Sequence, residues 1–67
     1  MTIGQKIEKL RKQKGWTQKE FGELLGVDQT TVSRIESDDR AFKIAELEEI
    51  CKVLKISVRK FFLGLYN

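Results

Sequence analysis

Three observations predict an all-α chain of five short helices forming one compact domain over residues 1–67. Apolar residues recur at helical spacing, Thr17, Asp28 and Ser57 each offer a helix start signal, and no proline interrupts the chain. No repeat, low-complexity tract or linker divides it.

The first helix, Ile3 to Lys14, sets Ile3, Ile7 and Leu10 on one stripe and surrounds them with basic residues. Thr17 opens the second. With Glu20 three residues on it forms a capping box, and Trp16 and Phe21 stand at the spacing of a hydrophobic staple. Gly26, free to adopt positive φ, ends that helix and turns the chain. Asp28 is a favoured N-cap for the third helix and suits the positive end of its dipole, with Val27 and Val32 as a second staple. The fourth helix, from about Lys43, carries a stripe of Ile44, Leu47, Ile50, Cys51 and Leu54, and its acids Glu46, Glu48 and Glu49 are expected in solvent. Ser57 then caps a fifth helix with Val58, Phe61, Phe62 and Leu63, ended at Gly64.

Two capped helices around Gly26 describe a helical hairpin such as many small bundles contain. The faces of the second of them say more. Advancing 100° per residue from Gln29 puts Ser33 at about 40°, Thr30 at about 100° and Arg34 at about 140°, with Ile35 and Val32 at about 240° and 300°. One face is apolar; the other carries only hydrogen-bonding side chains. A solvated helix usually fills its outer face with Glu and Lys, whereas this arc holds Gln, Thr, Ser and Arg. Those side chains suit base edges, because Gln pairs bidentately with adenine, Arg with guanine, and Thr meets an acceptor or the thymine methyl in the major groove.

Length and charge narrow the classes. A chain of 67 residues buries only about 60% of the surface its unfolded form exposes, so a modest core and no large catalytic cleft are expected. There are no His residues and one Cys, no phosphate-cradling glycine loop and no metal-spaced ligands, so neither an enzyme nor a metal or cofactor is expected. Cys51 cannot form an internal disulfide and is expected in the core. The start lacks a signal-peptide pattern and no apolar run is long enough to cross a membrane, which points to the cytoplasm. The net charge of +3 is unevenly spread: residues 1–19 hold six bases against one acid, 20–49 three against nine, and 50–67 four against none. This distribution supports nucleic-acid binding only through a few phosphate contacts per subunit.

The assembled residues closely resemble the helix-turn-helix of the phage-repressor and Cro family, also called the xenobiotic-response-element family. The likeness covers nearly the whole chain. It rests on the basic first helix Ile3 to Lys14, Gly15-Trp16-Thr17-Gln18 opening the second, Leu25-Gly26-Val27 at the turn, Ile35-Glu36 closing the recognition helix, and Leu54-Lys55-Ile56-Ser57-Val58 before the last. The resemblance implies a five-helix, lambda-repressor-like DNA-binding domain with the helix-turn-helix in helices 2 and 3. It implies that Gln29, Thr30, Ser33 and Arg34 face bases, that Thr31 lies beside a phosphate, and that Gln18 binds a phosphate from the start of its helix while bracing Gln29. It also implies an internal ion pair between Arg11 and Glu36. That pair has a physical reason, since Glu36 falls at about 340° on the wheel, between reading face and apolar stripe, where an unpaired acid is costly.

The family usually has a glycine two residues after this glutamate and a proline before the fourth helix, where this chain has Asp38 and Phe42. Asp tolerates the left-handed conformation, so the turn survives. Asp38 and Asp39 nevertheless bring carboxylates towards a polyanion, leaving Arg40 and Lys43 as the phosphate-binding candidates there. The tail Phe61-Phe62-Leu63-Gly64-Leu65-Tyr66 is more apolar than a terminus needs. One Phe is expected to close the core, and Phe61, Phe62, Leu65 and Tyr66 form the candidate dimer interface. The expected function is that of a sequence-specific DNA-binding regulator, a repressor on a palindromic operator in double-stranded DNA, acting as a homodimer without a small-molecule effector. The alternative is an antitoxin-like interaction module whose tail binds a protein partner.

Overall fold

The computed structural model describes residues 1–65, and the candidate interface residue Tyr66 lies outside them. Five helices follow one another: α1 (Ile3–Gln13), α2 (Gln18–Leu25), α3 (Gln29–Glu36), α4 (Ile44–Leu54) and α5 (Val58–Leu63). Among the described residues there is no strand.

Local chemistry sets the helix starts. At α2, Thr17 Oγ1 accepts from the Glu20 N–H at 3.0 Å and Glu20 Oε1 accepts from the Thr17 N–H at 2.8 Å. Trp16 and Phe21 stack across this cap with ring centroids 6.0 Å apart. Asp28 Oδ1 takes the Thr31 N–H at 2.7 Å and Ser57 Oγ the Lys60 N–H at 3.1 Å, starting α3 and α5. A further capping box, unread in the sequence, opens α1, where Thr2 and Gln5 exchange bonds of 3.1 and 2.9 Å. Gly26 sits at φ 76 and turns α2 into α3 within three residues. Lys55, at φ 57, ends α4 in the same left-handed way, whereas Gly64 after α5 is right-handed.

Ile7, Phe21, Val32, Ile35, Leu47, Ile50, Cys51, Leu54 and Phe61 form the core, with Ile3, Leu10, Trp16 and Phe62 packed against it. Each fully buried side chain of this kind contributes about 1.5–3 kcal/mol. Burial also pushes the Cys51 thiol up from its ordinary value. Two apolar expectations fail. Ile44 is 68% exposed. It is the first residue of α4, and side chains lean towards a helix's N-terminus, here past the end of the stack. Val27 is 38% exposed, so only the Val32 half of the second staple is buried.

The capping carboxylates carry a pH signature. The Thr17 backbone N–H, then the Thr17 side chain, holds Glu20 below its ordinary 4.5. Hydrogen bonds from the Thr31 side chain and backbone hold Asp28 below 3.8. A folded pKa below the unfolded one means stability that is present above the ordinary value and lost as pH falls through the folded one. Unfolding midpoints measured from pH 6 to 2.5 are expected to fall less steeply for Glu20→Gln and Asp28→Asn than for the parent. Parallel curves would refute this account of the caps.

Candidate nucleic-acid interface

α3 is divided along its length. Val32, Ile35 and Glu36 are buried, while Gln29, Thr30, Ser33 and Arg34 are all exposed. These four, with Gln18, Ser37 and Asp39, line one open polar concavity. Among the described residues that line it, the charged side chains are those of Arg34, in the last turn of the helix, and Asp39, in the loop beyond.

Behind this face lies a buried polar node. Arg11 Nε donates to Glu36 Oε2 at 2.6 Å and Arg11 Nη2 to Glu36 Oε1 at 3.1 Å, a bidentate pair whose side chains are 8% and 3% exposed. Arg11 Nη1 donates to the Trp16 carbonyl at 2.7 Å, immediately before the α2 cap. Gln18 Nε2 donates to Glu36 Oε1 at 3.1 Å. One guanidinium therefore joins α1, the entry to α2 and the end of α3. The amide of Gln18 rests on Glu36 rather than on Gln29, which locates its bracing contact about two turns further along α3, at the C-terminal end of the reading helix.

The other phosphate candidates are spread out. Thr31 is half-buried and lines a groove with Leu25, Val27, Ile35, Arg40 and Glu46, on the side of α3 that faces α4. Arg40 Nη2 is 2.5 Å from Glu46 Oε2, so the guanidinium is already engaged, and Glu46 is not the solvated acid expected from its place beside Glu48 and Glu49. Lys43 is exposed at the start of α4, where its N–H meets Glu46 Oε1 at 3.4 Å. Asp38 and Asp39 part ways: Asp38, at φ 59, turns back onto α1, and Asp39 alone enters the concavity. The long-range contact of Asp38 had no local signal in the sequence.

In the tail, Phe61 is fully buried and meets Phe62 edge-on, with centroids 5.7 Å apart. Phe62 and Leu65 are half-buried and Leu63 is 56% exposed. Among the described residues no helix is long and apolar enough to cross a membrane.

Comparison with known proteins agrees with this geometry. Residues 7–61 match the family described as Helix-turn-helix, HTH_3. The competence pilus inhibition repressor of Acinetobacter baylyi is 32% identical over 67 residues, all of this chain and 61% of that protein, so the chain spans about three fifths of this relative. Among solved structures, the restriction-modification controller protein C.Esp1396I superposes with a TM-score of 0.83 at 36% identity, covering 96% of this chain and 83% of the other. SinR, described as the master regulator for biofilm formation and solved in complex with DNA, gives 0.80 at 35% identity, covering 91% and 98%. Five helices with α2 and α3 closed around Gly26, matched along most of their length, place the chain in the helix-turn-helix family of phage-repressor and Cro type, a class of DNA-binding transcriptional regulators rather than enzymes.

Proposed function

We propose that residues 1–67 act as a single DNA-binding domain that recognises an operator through the major groove and represses transcription by occupying it. The division of α3 carries this reading: four exposed hydrogen-bonding side chains stand on one face, and the opposite face is locked in the core. Gln29, Thr30, Ser33 and Arg34 read bases in this scheme. The start of α2 presents backbone N–H groups beside Gln18, an arrangement that suits a phosphate. Thr31, Lys43 and Arg40 are the remaining phosphate contacts, Arg40 after exchanging its bond to Glu46. This reading puts the protein in the cytoplasm, at the nucleoid, and invokes no small-molecule effector.

Two such domains related by a two-fold axis would present their α3 helices about one DNA turn apart, roughly 34 Å, and read a palindrome. Leu63, Phe62 and Leu65 supply apolar surface for that pairing. An antitoxin-like module would use the same surface for a different protein, and sedimentation of the isolated chain separates the two: self-association supports the homodimer.

Selection of bound duplexes from a random pool tests the reading face. Gln29→Ala and Arg34→Ala are each expected to cost about 1–3 kcal/mol of operator binding and to relax preference at one base position, whereas Gln18→Ala weakens all sequences alike. An unchanged consensus for both variants would remove these residues as readers.

A further inference from the structure

The first turn of α1 has orphan backbone N–H groups, carries no acid of its own, and holds the positive end of a helix dipole. A carboxylate from 34 residues away supplies what is missing. Asp38 Oδ1 accepts from the Gly4 N–H at 2.8 Å, and Asp38 Oδ2 accepts from the Thr2 hydroxyl at 2.5 Å. Thr2 is itself the N-cap, taking the Gln5 N–H, so the two side chains form one continuous cap. The backbones approach closely at the same place: a Cβ on Gly4 would lie 2.5 Å from the Ile35 carbonyl oxygen and 2.6 Å from that of Glu36. The end of α3 is thus tied to the start of α1 through Asp38 and further along α1 through Arg11 and Glu36.

We infer that Asp38 is a positioning residue for DNA recognition, whose carboxylate fixes the end of α3 and the following loop, with Arg34 and Asp39, at a set angle to α1. It does this by bonding within the protein. The inference rests on the DNA reading proposed above. The competing role for a carboxylate beside a polyanion is repulsion, which has the opposite sign: removing the charge would then tighten binding to every duplex.

Three proteins separate the two: the parent, Asp38→Gly, which keeps the positive φ without strain and loses the carboxylate, and Asp38→Asn, which loses the charge and keeps an acceptor for Gly4. Affinities for the selected operator and for an unrelated duplex are measured at one salt concentration, and exchange of the Gly4 amide is followed in the free protein. Asp38→Gly is expected to lower the operator-to-unrelated affinity ratio about tenfold and to lose Gly4 protection, while Asp38→Asn keeps both near the parent. An unchanged ratio in Asp38→Gly, or tighter binding of both duplexes by both variants, overturns the inference. Unchanged Gly4 protection in Asp38→Gly overturns the clamp itself. A parent that does not distinguish the duplexes at all refutes the DNA reading instead, a failure separate from that of the Gly4 measurement.

Discussion

Arg11→Ala is expected to lower the free energy of unfolding by about 3–5 kcal/mol, enough to leave so small a domain marginally folded or unfolded. The cause lies less in the attraction that is lost than in the charge that is left behind. Glu36 is 3% exposed in its side chain and would keep one neutral donor, Gln18, where it now has three bonds. The Trp16 carbonyl would lose its bond to Arg11 as well, loosening the entry to α2. Urea unfolding of Arg11→Ala and of the double variant Arg11→Met/Glu36→Leu distinguishes these terms. The double variant removes both charges and is expected to recover much of the loss, because desolvation of a buried pair offsets most of its Coulomb attraction. An Arg11→Ala protein as stable as the parent would contradict a positional role for this pair. In conditions where the variant remains folded, its base preference is expected to change less than its stability, since Arg11 lies behind the reading face.

What could be read from the sequence was mostly what neighbouring residues settle among themselves. Thr17 with Glu20, Asp28 and Ser57 announce helices because a cap needs only three or four consecutive residues. The Thr2-Ile3-Gly4-Gln5 box obeys the same rule and was legible in principle. The reading face of α3 was legible for a related reason: its composition departs from that of a solvated helix at fixed angles around one axis. Contacts beyond a single helical turn left no such local trace, and the one anticipated, between Arg11 and Glu36, came with the family resemblance. Glu46 looks like its neighbours Glu48 and Glu49 until the loop brings Arg40 to it, and Asp38 looks like a second acid beside Asp39 until the fold sets it over Gly4.

Periodicity also fails where an element ends and where backbones touch. It assigned Ile44 to the core stripe because it cannot tell where the stack stops. Glycine inside a helix reads as a weak point, yet a Cβ at Gly22 would lie 2.7 Å from the Val27 carbonyl oxygen. The closeness of α2 to the turn before α3 therefore depends on the absence of a side chain, and the angle of the reading helix depends on that closeness.

The second large effect is expected at the tail, where Phe61→Ala should cost about 3–5 kcal/mol of stability and Phe62→Ala distinctly less. Of the two adjacent aromatic residues on this six-residue helix, whose side chains point about 100° apart, Phe61 is fully buried and Phe62 packs against the edge of the same core. Phe61 is the one turned fully inward, packed with the α4 residues Leu47, Ile50, Cys51 and Leu54 in a single cluster. Its loss opens a cavity that a short terminal helix closes only by moving, and with it would go the apolar surface offered by Phe62, Leu63 and Leu65. Phe62, half-buried and meeting Phe61 edge-on, loses less by truncation within one chain. If two chains pair through this end, the order changes with concentration: Phe62→Ala should then weaken self-association while leaving the dilute monomer folded, whereas Phe61→Ala lowers the melting temperature at every concentration. Melting curves at protein concentrations a hundredfold apart, read beside sedimentation, check both halves. Equal destabilisation by the two variants at high dilution would remove the division of the tail into a core residue and a surface one.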